Sequence, residues 1–288
     1  MLATGSVRRS SDHRLDAPVI FVGRGGSGTR LVSKIAMDAG VFLGTDINPT
    51  NDSMEWRDPI YEIALEKMAT GAPIDTRQAE DVESTLRDCA RAILDRAGGQ
   101  VGAHWGWKLP ETMFILPEVL HAFPNARVVH LLRHPVTCCL RNRHVTSDPR
   151  HRVGAMVLKA AYHALNIAPG DYDCDEATLD NAVSWAYQVG AVARLTRDPD
   201  IAGRVLSVCY EDIFDDWSGF AFRLSGFIGV GQEQLIRPIL DPARRRAFDD
   251  DDPRIAPVWS LCKDIAQGFG YALETGAKAP SHRSLFNA

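Results

Sequence analysis

The feature that most constrains the fold is a short apolar run that stops at a cluster of glycines and passes directly into a helical pattern. Residues 18–23 (PVIFVG) are rich in β-branched and aromatic residues, as in a strand buried on both faces. Further glycines follow at positions 25, 26 and 28, and apolar residues then recur at helical spacing over residues 31–39. We therefore predict a buried parallel strand, a glycine loop and a helix in succession.

Two further apolar runs have the same character, residues 127–132 (RVVHLL) and 204–210 (RVLSVCY). Helical patterns surround them, over residues 79–96, 111–123, 136–197 and 214–228. Strands that alternate with helices form a parallel sheet covered on both faces. We predict a three-layer α/β/α fold with a central parallel sheet and a helical elaboration. A loose polar leader is predicted over residues 1–16, and a single domain over residues 17–288.

The composition limits the classes of function. A net charge of −5 argues against nonspecific binding of nucleic acid. No apolar run is long enough to span a bilayer, and the six cysteines lack the spacing of a zinc site. We expect a cytoplasmic protein with reduced thiols, no membrane span, no nucleic-acid partner and no bound metal, and the oligomeric state is left open.

The glycine loop, residues 23–30 (GRGGSGTR), resembles a P-loop in its position. Backbone N–H groups of such a loop, with a helix N-terminus behind them, cradle phosphate oxygens. A nucleoside triphosphatase would have Lys and then Ser or Thr after the last glycine, whereas Thr29 and Arg30 follow Gly28 here. The loop thus predicts an anion held without a metal. The residues predicted to contact it are Arg24, Gly25, Gly26, Ser27, Gly28, Thr29 and Arg30.

Two later segments place polar side chains at strand ends. Arg133 follows residues 127–132 and would point into the crevice where α/β proteins bind ligands. Arg141 and Arg143, predicted on the next helix, could hold a second phosphate with it, although arginines on helices usually face water. Tyr210 ends the third strand, where it could equally be a core residue.

These motifs together resemble the sulfotransferase family that uses 3′-phosphoadenosine 5′-phosphosulfate (PAPS), in a bacterial-type member. They are GRGGSGTRL, GWKLPE with FPNARVVHLLRHP, and CYEDIFDDW with LSGFIGV, and they extend over residues 18–230. The resemblance implies transfer of a sulfuryl group to a hydroxyl or amine of a small-molecule or glycan acceptor, with 3′-phosphoadenosine 5′-phosphate (PAP) as product. It also implies that residues 23–30 bind the phosphosulfate, Arg133 the 3′-phosphate, and Tyr210 the adenine.

The sequence departs from the family pattern at two positions. Gly26 stands where the family has Lys or Arg, and we expect Arg24 or Arg30 to supply the missing catalytic cation. Arg141 stands where the family often has a serine, and it is expected to bind the 3′-phosphate.

The general base that takes the proton of the acceptor is left open. Lys108 stands where many members have a histidine, and it could act as base or bind the sulfuryl group. Other members use a glutamate, for which Glu55 and Glu111 are candidates, and His104 is a further one. The acceptor is expected near residues 48–57 and 144–200. Two other functions stay open, a P-loop small-molecule kinase that uses ATP and magnesium, and a nucleotide sensor without catalysis.

Overall fold

The computed structural model describes residues 14–71, 75–245 and 248–273. Within these ranges the central sheet has five parallel strands in the order β2-β3-β1-β4-β5. The strands are β1 (Val19–Val22), β2 (Val41–Phe42), β3 (His104–Lys108), β4 (Arg127–Leu132) and β5 (Val205–Cys209). The predicted α/β fold with a central parallel sheet is confirmed. The sequence pattern did not predict β2, which has two residues, or β3, whose HWGWK lacks a β-branched run.

The helices of the described ranges lie mostly between the strands. They are α1 (Thr29–Asp38), α2 (Arg57–Thr70), α3 (Thr76–Ala97), α4 (Leu116–Ala122), α5 (Pro135–Cys139), α6 (Arg152–Leu165), α7 (Glu176–Leu195), α8 (Pro199–Ala202), α9 (Asp212–Asp215), α10 (Trp217–Ile228) and α11 (Ile255–Gly268). Short 3₁₀ turns include Met54–Trp56, Pro110–Ile115 and Val145–Ser147. None of the helices in the three described ranges is long and apolar enough to cross a membrane.

Strand β1 shows how the sheet is covered on both faces. Its side chains alternate, and all four are almost completely buried. Ile20 and Val22 pack into the core that also contains Trp56, from the segment before α2. Val19 and Phe21 pack on the other face, in the core formed with α1 and α10. This double burial is why the sequence of β1 is a continuous apolar run.

The sequence prediction that Arg141 and Arg143 lie on the helix after β4 is wrong. Helix α5 already ends at Cys139, and both arginines lie in the following loop. The side-chain amide of Asn181, on α7, donates hydrogen bonds to the carbonyl oxygens of Cys139 and Arg141, each at 3.0 Å. These bonds satisfy carbonyls that a longer helix would have used internally.

Most of the predicted leader, residues 1–13, lies outside the described residues. Its last two residues, Leu15 and Asp16, are buried against the fold. Leu15 is buried in the core on the α2 side, and Asp16 accepts a hydrogen bond from Arg87 at 2.8 Å.

Candidate active site

The glycine loop lies at the carboxyl end of β1 and leads into α1. Gly28 caps this helix with a φ of 101°. A Cβ atom at this position would lie 2.3 Å from Cδ2 of Tyr210. Only glycine therefore combines this backbone conformation with so close an approach to the ring. The loop and the end of β5, where Tyr210 lies, meet at one edge of the sheet.

Arg133 lies at the same edge, next to the loop. Its Nη1 donates to the carbonyl of Gly26 at 3.2 Å, and its Nη2 donates to the carbonyl of Arg244. The guanidinium carbon lies 4.3 Å from the centroid of the Tyr210 ring, which is a cation–π contact. The structure thus brings Arg133, Tyr210 and the loop together.

A buried carboxylate holds this arrangement in place. Glu211 accepts a hydrogen bond from the backbone N–H of His134 at 3.0 Å and another from the Tyr271 hydroxyl at 2.8 Å. Burial raises the pKa of Glu211, although these hydrogen bonds and Arg133 oppose the shift. The bond to His134 connects the ends of β4 and β5, and it fixes the backbone that carries Arg133.

The loop has polar groups that an anion would satisfy. Among the described residues, Ser27 Oγ and Arg133 Nε are buried without a hydrogen-bond partner. Gly26 has a φ of 89°, and apart from its two chain neighbours no described residue has an atom within 4 Å of the point where its Cβ would be. An open glycine face beside a buried guanidinium fits a phosphate or sulfate group.

The other predicted arginines lie apart from this open face. Arg24 is buried, and its guanidinium donates to the carbonyl of Gly25 and to the side chains of Ser147 and Asn181, at 2.9, 3.1 and 2.6 Å. Arg30 is exposed in the first turn of α1. Arg141 is exposed and lines an open cavity of about 410 Å³ at the start of α7. Neither the glycine loop nor Arg133 lines this cavity.

Lys108 ends β3, the strand beside β1, and it lies in a buried ion pair. Its Nζ is 2.5 Å from Oδ1 of Asp52 and 3.1 Å from the carbonyl of Thr50, and the residue is 3% exposed. Burial alone would raise the pKa of Asp52, but the Lys108 ammonium and the surrounding hydrogen bonds lower it. An ammonium group fixed in this way beside the loop strand suits binding of an anion.

Glu111 is the carboxyl group of this region whose environment favours the protonated form. It is 4% exposed, and it accepts a hydrogen bond from the Tyr61 hydroxyl. Burial, reinforced by the negative charge of Asp52, raises the pKa of Glu111 to about 7. The pKa of Tyr61 is raised as well, first by burial and then by Glu111. A carboxyl group with a pKa near neutrality is suited to accept a proton.

Glu55 and His104 lie in different surroundings. Oε1 of Glu55 accepts hydrogen bonds from Thr45 N, Thr45 Oγ1 and Asp46 N, at 2.8, 2.7 and 2.9 Å. Burial alone would raise the pKa of Glu55, but these hydrogen bonds outweigh burial and lower it. His104 begins β3, at the end of the strand opposite to Lys108 and the loop.

One residue of the site carries no sequence signal. His144 lies in the loop after α5, and its Nε2 is 2.0 Å from the point where a Cβ of Gly25 would be. Its ring therefore lies directly against the glycine loop. No motif surrounds His144, and the contact joins segments far apart in the sequence, so only the fold reveals it. In the described part of the chain, no group of three or more His, Cys, Asp or Glu side chains is arranged to hold a metal ion.

Comparison of this chain with models of protein families identifies its family. The model of the sulfotransferase family matches residues 18–234, well over half of the 288 residues. A search of curated proteins gives no match. Among solved structures, the sulfotransferase domain of the Synechococcus PCC 7002 olefin synthase is 16% identical with a TM-score of 0.47, over 88% of this chain and 95% of that one.

Two mycobacterial structures are also similar. Sulfotransferase STF1 from Mycobacterium tuberculosis H37Rv is 13% identical with a TM-score of 0.43, over 89% of this chain and 77% of that one. Sulfotransferase STF9 from Mycobacterium avium is 15% identical with a TM-score of 0.44, over 89% and 78%. On the match to the family model, this chain is an enzyme of the sulfotransferase family.

Proposed function

We propose that this enzyme transfers a sulfuryl group from PAPS to a hydroxyl or amine of a small-molecule or glycan acceptor. The observation that carries the proposal is the meeting of three groups at one edge of the sheet. These are the open glycine loop, a buried Arg133 with an unpartnered Nε, and the ring of Tyr210. They match the three parts of PAPS, which are the phosphosulfate, the 3′-phosphate and the adenine.

Each part of the donor has a proposed contact. The backbone N–H groups of residues 25–29 and the Ser27 hydroxyl hold the phosphosulfate. Arg133 exchanges its bond to the Arg244 carbonyl for a bidentate contact with the 3′-phosphate. Arg141 stays a predicted second contact to that phosphate. Tyr210 lies against the adenine. When bound, PAPS supplies the sulfuryl group that is transferred.

The cations of the site stabilise negative charge that develops during transfer. Lys108 lies at the end of the strand next to the loop, and its bonds to Asp52 and to the Thr50 carbonyl leave one ammonium proton for a further acceptor. We assign it to the sulfuryl oxygens. Arg24 adds positive charge from the buried side of the loop, where it also anchors Ser147 and Asn181. Arg30 remains an alternative cation at the start of α1.

We assign the general base to Glu111, in preference to Lys108 and Glu55. Glu111 is half ionised near pH 7 because burial raises its pKa to about 7. Glu55 is less basic, since three donated hydrogen bonds stabilise its ionised form, and its contacts suit it to fix the backbone at residues 45–46. The half-buried Tyr61 lines the neighbouring cleft and hydrogen-bonds to Glu111, so its hydroxyl passes its own proton to Glu111 as it takes the proton of the acceptor.

The acceptor site is proposed in the cleft that Tyr61 lines. This cleft has a volume of about 340 Å³, between α2 and the start of α6. Its residues are Asp58, Tyr61, Glu62, Leu65, Val145, His151, Arg152 and Val153. Apolar side chains with a charged rim suit an acceptor with an apolar body and one reactive hydroxyl or amine. Val145 adjoins His144, so the cleft leads toward the loop.

A direct test is calorimetry with PAP and, separately, with ATP plus magnesium. We expect PAP to bind in excess EDTA and ATP to bind weakly with or without magnesium, because Thr29 and Arg30 replace the Walker lysine and its magnesium-binding hydroxyl. Tight, magnesium-dependent binding of ATP with no binding of PAP would refute the proposal. The family match already disfavours the kinase, and turnover would exclude a sensor.

A further inference from the structure

His144 is held against the glycine loop in a fixed orientation. All three ring atoms nearest to Gly25 (Nε2, Cδ2 and Cε1) lie 2.0–2.2 Å from the point where a Cβ of that residue would be. The ring therefore occupies space that only a glycine leaves open. Gly25 itself does not have a positive φ. The close approach of the imidazole thus accounts for the glycine better than backbone conformation does.

The hydrogen bonds of His144 determine which ring nitrogen carries the proton. The backbone N–H of Thr146 donates to Nδ1 at 3.3 Å, and the Thr146 hydroxyl lies 3.1 Å from the same atom. That hydroxyl accepts from Nε2 of Gln188 at 3.1 Å, so its own proton is available for Nδ1. Because Nδ1 is an acceptor, the proton of the neutral ring lies on Nε2, the atom at the loop.

The surroundings of His144 keep its ring neutral. Burial lowers the pKa of His144 to about 3, and the charges of Arg24 and Lys108 add to this effect. Asp52 opposes it, but Asp52 is itself paired with Lys108. Near neutral pH the ring is therefore a neutral N–H donor at the loop. It cannot act as a base through Nε2, which already carries the proton.

The loop itself lacks a side-chain donor at this point. Gly26 has no side chain, and the guanidinium of Arg24 is turned into the buried contacts with Ser147 and Asn181. His144 lies against Gly25, one residue before Gly26. We propose that the Nε2–H of His144 donates a hydrogen bond to the sulfuryl group of the bound donor, in place of a cation on the loop. This inference rests on the proposed function, since it assumes that the loop binds the phosphosulfate.

The test compares the dissociation constants of PAPS and PAP, measured by calorimetry in excess EDTA. PAP lacks the sulfuryl group, so it does not report on the proposed bond. We expect His144→Ala to weaken the binding of PAPS by about 10- to 100-fold, because a hydrogen bond to a charged group is lost. The affinity for PAP should change by less than about threefold, because PAP does not make the proposed hydrogen bond. His144→Gln, which returns an N–H donor, should recover part of the loss. His163→Ala, on the exposed end of α6, is the matched control.

Two results would overturn the inference alone. One is an unchanged affinity of His144→Ala for PAPS, and the other is an equal loss for PAPS and PAP, which would mean that the ring only shapes the loop. A wild-type protein that binds neither nucleotide would instead overturn the proposed function, and the inference with it.

A second measurement uses the wild-type protein, and it stays informative if the variants do not fold. Nitrogen NMR of histidine-labelled protein should show His144 as the Nε2–H tautomer from pH 5 to pH 8. Titration near the ordinary histidine pKa, or an Nδ1–H tautomer, would contradict the proposed donor.

Discussion

The assignment of Glu111 as general base predicts opposite effects of Glu111→Gln on activity and on stability. Moving the pKa of a carboxyl from 4.5 to about 7 means that its ionised form costs about 3 kcal/mol in the folded protein, at about 1.4 kcal/mol for each tenfold change. Between these two pKa values the folded protein binds more protons than the unfolded chain, so the free energy of unfolding decreases as the pH rises. Glutamine has no charge, and it removes this loss.

The assay is urea unfolding of wild type and Glu111→Gln at pH 4 and pH 8. The difference in the free energy of unfolding should shift in favour of the variant by about 3 kcal/mol between these pH values, because other titrating groups cancel in the comparison. In parallel, the wild-type kcat/KM should rise with pH through about 7. In the variant this rise of kcat/KM with pH, the acidic limb of the profile, should be lost, and kcat should fall by about 10²- to 10⁴-fold. A stability difference that does not depend on pH would refute the buried, shifted carboxyl, and an unchanged acidic limb would refute its role as base.

Three further predictions test other parts of the site. Arg133→Ala should weaken the binding of PAP by about 10- to 100-fold, because charge-assisted hydrogen bonds are lost. The affinity for adenosine 5′-phosphosulfate, which lacks the 3′-phosphate, should change little. Arg127→Ala, on the other end of the same strand, is the control, and equal losses of both nucleotides would make Arg133 structural. Gly25→Ala should lose as much affinity for PAPS as His144→Ala, because the added methyl group displaces the His144 ring. The double variant should bind PAPS as well as either single variant. Additive losses of affinity would contradict the shared mechanism. Turnover should persist in excess EDTA, and a loss that magnesium restores would reopen the kinase assignment.

The sequence predicts the parts of this protein in which local chemistry determines the structure. Strand β1 is buried on both faces and β4 and β5 are largely buried, so each is a mainly apolar run, and the glycine loop is marked by its own composition. Strand β3 (HWGWK) was not predicted, because its tryptophans gain their burial from packing with Trp56 and Phe123, which lie elsewhere in the sequence.

The candidate site divides in the same way. Arg133 and Tyr210 could be predicted from the strand ends that carry them, and contacts of the structure place both beside the loop. The roles of Glu111, Tyr61 and His144 depend on long-range contacts. Glu111 differs from Glu55 only in its partners, since one is buried beside Asp52 and the other accepts three hydrogen bonds. The helix after β4 was predicted too long because Asn181, far along the chain, caps it.

The central claim is that this enzyme transfers a sulfuryl group from PAPS, and two labelled donors test it in parallel. The protein is incubated with a panel of hydroxylated metabolites, lipids and sugars, once with ³⁵S-labelled PAPS in EDTA and once with γ-³²P-labelled ATP and magnesium. We predict that the ³⁵S label is transferred to a member of the panel with an apolar body, and that PAP is released in equal amount. Transfer of ³²P, with no transfer of ³⁵S and no release of PAP, would contradict the account.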